Sequence, residues 1–281
     1  MALDRIPNIP VADGIDWFVD RITEWFSFVF EPIKLVLGWL LDTSSEYLAV
    51  VPPIIIILLV AILAFFLSGK KFGLAAFTII GLIFVQNQGL WDELVFTFTL
   101  VFYASLISVL VGIPVGILMS KSRIAEKIIT PVLDFMQTMP AFVYLIPAVA
   151  FFGIGMVPGV FASFIFATPP VVRFTNLGIR QVSTELVEAS DAFGATGNQK
   201  LFKVELPMAK RTIMAGVNQT VMLSLSMVVI ASMIGAPGLG REVLSALQRA
   251  DAGPGFVAGF GIVILAIIID RFTQNLNKEK H

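Results

Sequence analysis

Long uncharged runs alternate with short charged segments along most of this chain, and the runs have the length a bilayer requires. A charge at the bilayer centre costs several kcal/mol and about 20 helical residues cross the hydrocarbon, so uncharged stretches mark candidate spans. Six occur, at residues 47–69, 72–91, 94–120, 135–172, 212–240 and 252–269. Five fit one helix each. The stretch 135–172 would measure about 57 Å as a single helix, nearly twice the bilayer core, so it must fold back. Gly153, Gly155, Pro158 and Gly159 near its middle supply the turn. The pattern predicts an all-α polytopic membrane protein with about seven transmembrane helices.

Ahead of the first span the periodicity changes. Ile15, Phe18, Ile22, Trp25, Phe26, Val29, Ile33, Val36, Leu37 and Leu40 recur at three- and four-residue steps, with Asp16, Asp20, Glu24, Ser27, Glu31 and Lys34 on the other face. That is an amphipathic helix, expected to kink at Pro32. With Trp17, Trp25 and Trp39 it is expected to lie along the outer interface rather than cross. It serves either as a scaffold or docking element or simply as a surface anchor. The domain organisation that follows is an external amphipathic segment at 1–46, two peripheral transmembrane helices at 47–91, and a core transmembrane domain at 92–281.

Composition agrees: 57% of residues are hydrophobic, 14% are charged, and the mean hydropathy is +0.90, more apolar surface than a soluble core of this size can hide. The net charge of −1 gives no sign of a nucleic-acid partner. There is no Cys, and the one His is the last residue, His281, which excludes disulfides, thiolate metal sites and His-based triads. No basic segment leading into a short apolar core and a small-residue cleavage site opens the chain, which argues against a cleaved signal peptide. Lys and Arg are distributed unevenly between the loops. Placing the loop that contains Glu188 in the cytoplasm puts 14 of the 19 basic residues inside, with the N-terminus external and the C-terminus cytoplasmic.

That loop, at about 183–210, is the polar segment with a recognisable design. Glu188-Ala189-Ser190 is followed by Gly194, Val204 and Leu206-Pro207. Ser183 or Thr184 can cap a short helix, Glu185, Glu188 and Asp191 suit its positive end, and Gly194 can close it in a left-handed conformation. Gly194 also lets a partner's backbone approach closely. No Gly-rich phosphate loop ending in Lys-Ser/Thr occurs, so ATP is expected to bind elsewhere.

The spacing resembles the "EAA" loop of permease subunits in ATP-binding-cassette importers, with Ser190 where that family usually has Ala and Val204 where it usually has Ile. Further segments, Gln137-Thr138-Met139-Pro140-Ala141-Phe142-Val143-Tyr144-Leu145-Ile146-Pro147, Gly153-Ile154-Gly155 and Ile234-Gly235-Ala236-Pro237-Gly238-Leu239-Gly240, resemble permeases of glycine betaine/proline uptake systems of the OpuA/ProU type. The resemblance implies that Glu188, Ala189, Ser190, Gly194, Leu206 and Pro207 engage a separate ATPase subunit, which binds ATP and Mg. It implies two ATPase subunits, a second permease copy and an extracytoplasmic substrate-binding protein in a bacterial cell membrane. No cofactor is expected in this chain.

Pro140, Pro147, Pro169 and Pro170 lie at or near membrane depth, where a missing N–H frees carbonyls that line a path or merely kink a packed helix. Gln137, Thr138, Thr168, Asn218 and Ser224 are neutral polar groups that line a path or hold helices together. With Pro140 and Tyr144 they are the candidate path residues. An ion-coupled carrier would need an ionisable group deep in the bundle, and a membrane-embedded enzyme would need a nucleophile–base pair or metal cluster. The uncharged span cores speak against both. A net-neutral solute such as glycine betaine suits a neutral lining; choline, carnitine and proline remain open.

Overall fold

The structure, a computed structural model, describes residues 11–276. The described residues form helices and their connections, without strands. In chain order these are α1 (Val11–Trp25), α2 (Ser27–Val50), α3 (Pro53–Leu67), α4 (Phe72–Asn87), α5 (Trp91–Lys121), α6 (Arg123–Thr138), α7 (Leu145–Phe152), α8 (Met156–Arg180), α9 (Thr184–Ala192), α10 (Gly197–Lys200), α11 (Leu206–Ser232), α12 (Leu239–Gln248) and α13 (Ala252–Leu276).

The core is a three-helix slab with α8 in the middle. Small residues let the helices approach: a Cβ on Gly116 of α5 would lie 2.6 Å from the Val172 carbonyl oxygen of α8, and one on Gly216 of α11 would lie 2.6 Å from Phe174 Cβ. In a bilayer, where lipid is as apolar as Leu, close packing of this kind drives helix association. Leu100, Ala104, Val160, Val171, Val228 and Ala231 are fully buried there. Outside the slab, α13 packs on α11, α12 and α4, where Gly81 faces Ile264.

Several boundaries differ from the hydropathy pattern. The stretch 47–69 is two helices, not one: α2 ends at Val50, Val51 turns extended (φ −72°, ψ 127°), and α3 leaves at 100°. Pro52-Pro53 explains the break, since the ring of each proline disfavours the helical conformation of the residue before it and removes a donor. The expected boundary at residue 46 therefore falls inside α2. Toward the N-terminus α2 continues past Pro32, and the break that separates it from α1 lies at Phe26 (φ −105°, ψ 12°). Nor does the second half of that segment lie free of the bundle. Phe30 stacks on Phe151 at 4.7 Å, Leu37 and Leu41 are buried, and Ser44 Oγ meets the Tyr103 hydroxyl of α5 at 2.7 Å.

The stretch 135–172 folds back at Gly153 and Gly155, as its glycines predict; both have positive φ. Its first arm, however, is broken again. After Met139 the chain turns through 110°, takes one 3-10 turn at Ala141–Tyr144, and continues into α7. The stretch 212–240 ends early, at Ser232, and a Gly-rich junction leads into α12.

Among the described residues, four helices are long and apolar enough to cross a bilayer alone: α5, α8, α11 with its N-terminal extension, and α13. The bent pairs α2–α3 and α6–α7 raise this to six, and α4 is a shorter apolar helix of 16 residues. The membrane architecture stands, while the count of seven is not confirmed.

Candidate coupling site and translocation path

The polar loop folds as a compact projection. Helix α9 buries none of its residues, and Ser183 occupies its N-cap position without a side-chain bond. Its C-terminus is closed by two backbone bonds, Gly194 N–H to the Asp191 carbonyl (2.9 Å) and Ala195 N–H to the Ser190 carbonyl (3.0 Å), with Gly194 at φ +75°. This is the left-handed closure that glycine adopts without Cβ strain. Nothing lies within 4 Å of where a Gly194 Cβ would stand, so the space above it is open. Glu188 and Ala189 are exposed, and Ser190 Oγ bonds the Val187 carbonyl at 2.7 Å. Asp191 was expected to favour the positive helix end; it lies in the last turn instead and binds Lys200 Nζ through both oxygens, at 2.8 and 2.9 Å.

The return from α9 is braced at each step. Thr196 and Gln199 form a reciprocal capping box at the start of α10. Leu201–Glu205 is one π-helical turn in which Leu206 N–H reaches the Leu201 carbonyl. That wider turn carries the helix into Pro207, whose missing N–H cannot serve the regular ladder. Leu206 is half-buried against Ile179, Ala209 and Ile213, whereas Pro207 is exposed. Glu205 is buried, 5% exposed, and accepts from Lys121 Nζ at the last residue of α5. Leu186, Phe193 and Phe202 are exposed around the tip, with Phe193 at 92%. The polar projection thus carries exposed apolar side chains at its tip.

The path candidates separate into two groups. Gln137 and Thr138 end α6, Pro140 follows them, and all three are exposed at the 110° break. Tyr144 is buried beneath and donates its hydroxyl to the Met136 carbonyl, which fixes the break from behind. Thr168 and Ser224 belong to the second group: both are buried, and their hydroxyls bond the Phe164 and Thr220 carbonyls one turn back in their own helices. Hydroxyls in apolar surroundings commonly satisfy themselves this way. Asn218 is also engaged, donating to Asp270 Oδ1 at 3.0 Å and accepting from Thr273. Of the prolines, Pro169 and Pro170 are buried inside an unbroken α8.

Two features escaped hydropathy reasoning. Ion pairs Asp134–Arg173 and Glu126–Arg180 form a ladder between α6 and α8, the latter at 2.7 Å, and Arg180 also donates to the Met119 carbonyl. The spacing of Arg173 and Arg180, two turns apart and matched by Glu126 and Asp134, is the signal that could have found it. At the far end of α5, Glu93 Oε2 accepts Gly238 N–H at 2.9 Å and Thr97 Oγ1 accepts Leu239 N–H at 2.8 Å. No local pattern marks that contact.

Residues 108–280 match the family described as binding-protein-dependent transport system inner membrane component. The chain belongs to that family. The permease is 58% identical over 279 residues to the glycine betaine/carnitine transport permease protein GbuB of Listeria monocytogenes, covering 99% of each chain. It is 50% identical over 278 residues to the glycine betaine transport system permease protein OpuAB of Bacillus subtilis, covering 99% of this chain and 98% of the other. Among solved structures, an inward-facing conformation of the MetNI methionine ABC transporter superposes with a TM-score of 0.61 at 21% identity, over 65% of this chain and 91% of that one. That likeness concerns the fold alone. As a family member the permease is the non-catalytic transmembrane component of an ATP-driven importer and a multi-pass protein of the bacterial inner membrane, working with an ATPase and a substrate-binding protein.

Proposed function

We propose that this permease forms the translocation path for glycine betaine, and that α9 with Leu206-Pro207 is the surface through which a separate ATPase drives it. The observation that carries the solute assignment is the near-full-length similarity to two permeases named for glycine betaine transport. The break at Gln137, Thr138 and Pro140 offers neutral polar groups, and the charges beside it are already paired as Asp134–Arg173. A net-neutral surface suits a solute that carries a quaternary ammonium and a carboxylate and needs no fixed counter-charge. In this reading Asn218 ties α11 to α13, and the Thr168 and Ser224 hydroxyls serve their own helices.

The coupling role of α9 draws support from its exposed apolar tip and open glycine. Two copies of the permease would enclose one path, each α9 facing one ATPase subunit that supplies ATP and Mg. The N-terminus is external and the C-terminus cytoplasmic, as the positive-charge bias of the loops suggests.

Reconstituted vesicles containing the permease, its ATPase and its binding protein test the reading. ATP-dependent accumulation of labelled glycine betaine is expected. Accumulation of choline or proline without glycine betaine would overturn it. Carnitine is the second reading, favoured by the name of the Listeria relative, and competition by unlabelled carnitine measures its share.

A further inference from the structure

Glu205 is the last residue of the π-helical turn and immediately precedes Leu206-Pro207. Its carboxylate is almost completely withdrawn from solvent, while Lys121, which donates to it, stands at the C-terminal end of α5 and is 39% exposed at its side chain. A carboxylate in so enclosed a place is retained only with a partner, because separating the two would strand the buried charge. The loop and the end of α5 therefore move together or not at all. On the other side of the pair, the same loop is tied to α9 by Lys200 and Asp191.

From Lys121, α5 runs without interruption for 31 residues, about 46 Å, to Trp91. Its far end is fixed as well. Gly238 has φ +120°, and its N–H and that of Leu239 are held by Glu93 and Thr97; a Cβ there would lie 2.6 Å from Thr97 Oγ1. The helix is thus pinned at one end to the ATPase-facing loop and at the other to the Gly-rich junction between α11 and α12.

We propose that the Lys121–Glu205 ion pair is the positioning link that carries displacement of the coupling loop into α5, and that α5 delivers it to the Gly238 junction. The inference rests on α9 being the ATPase-facing element, and the experiment separates the two claims.

Because the chain lacks Cys, a single thiol can report on the far end of α5. In the assembled complex with ATPase subunits, Asp92→Cys, at an exposed position, would be labelled with a soluble maleimide in the presence and absence of ATP. The labelling rate is expected to change about fivefold with nucleotide, the lower end of usual coupling between sites. Adding Glu205→Gln should abolish that change while ATP hydrolysis continues, which shows that the complex has assembled. The exchanged pair Lys121→Glu with Glu205→Lys should restore it, a result that simple loss of stability would not give. A nucleotide response undiminished by Glu205→Gln, or absent from the unmutated background, would overturn the link. Gly194→Trp in the same background addresses α9 by itself: a response that survives it counts against the coupling reading of α9 and not against the ion pair. No transported solute enters the measurement, so the solute assignment stands or falls separately.

Discussion

Gly116 of α5 faces Thr175 of α8 so closely that a Cβ at residue 116 would stand 2.6 Å from Thr175 Cβ and from the Val172 carbonyl oxygen. Backbone cannot retreat as a flexible side chain can, so the two helices must part to admit even a methyl group. Gly116→Ala is expected to destabilise the bundle by about 1–3 kcal/mol, the usual cost of overpacking. Gly73→Ala is the control: it lies in α4 with nothing within 4 Å of its Cβ, and should cause no loss. Thermal unfolding of the purified protein in detergent measures both. Equal midpoints would mean that α5 and α8 are not packed as described.

At Gly194 the space is open and only the backbone conformation is demanding, with φ +75°. Gly194→Asn, which tolerates left-handed backbone, should keep most uptake, whereas Gly194→Trp should insert normally and lose it because the indole occupies the approach surface. Membrane insertion is checked by fractionation and uptake with labelled solute. Normal uptake by the Trp variant would mean that no partner comes close at this point.

The division among path candidates predicts different sensitivities. Ser224→Ala and Thr168→Val remove hydroxyls that serve only their own helices, and uptake should fall less than about twofold, as for a substitution worth under about 0.5 kcal/mol. Gln137→Leu and Thr138→Val change the exposed break and should raise the half-saturation concentration for uptake. The reverse ranking would move the path away from α6.

Orientation is testable with single thiols on exposed residues. Asp20→Cys on α1 and Lys203→Cys beside the π-helical turn should react from opposite sides of intact cells with a membrane-impermeant reagent. Reaction of both from outside would contradict the arrangement inferred from loop charge. Ser44 would be a poor reporter, since it is bonded to Tyr103 within the bundle.

What the linear chain determined is whatever depends on composition and near neighbours. Uncharged runs identified the apolar helices because the cost of a buried charge is paid residue by residue, wherever the helix sits. Gly153 and Gly155 marked the hairpin, and Gly194 marked the end of α9, because positive φ is a local demand that favours glycine. The tertiary structure alone decided what those elements do to one another. Pro140 stands at the break after α6, whereas Pro169 and Pro170 lie inside a continuous α8 packed between α5 and α11. Thr138, Thr168 and Ser224 look alike in sequence and each bonds a carbonyl of the preceding turn, yet the fold buries Thr168 and Ser224 and leaves Thr138 exposed. Lys121 and Glu205 are 84 residues apart, as are no pairs that a periodicity can see, and only the folded bundle brings one charge against the other.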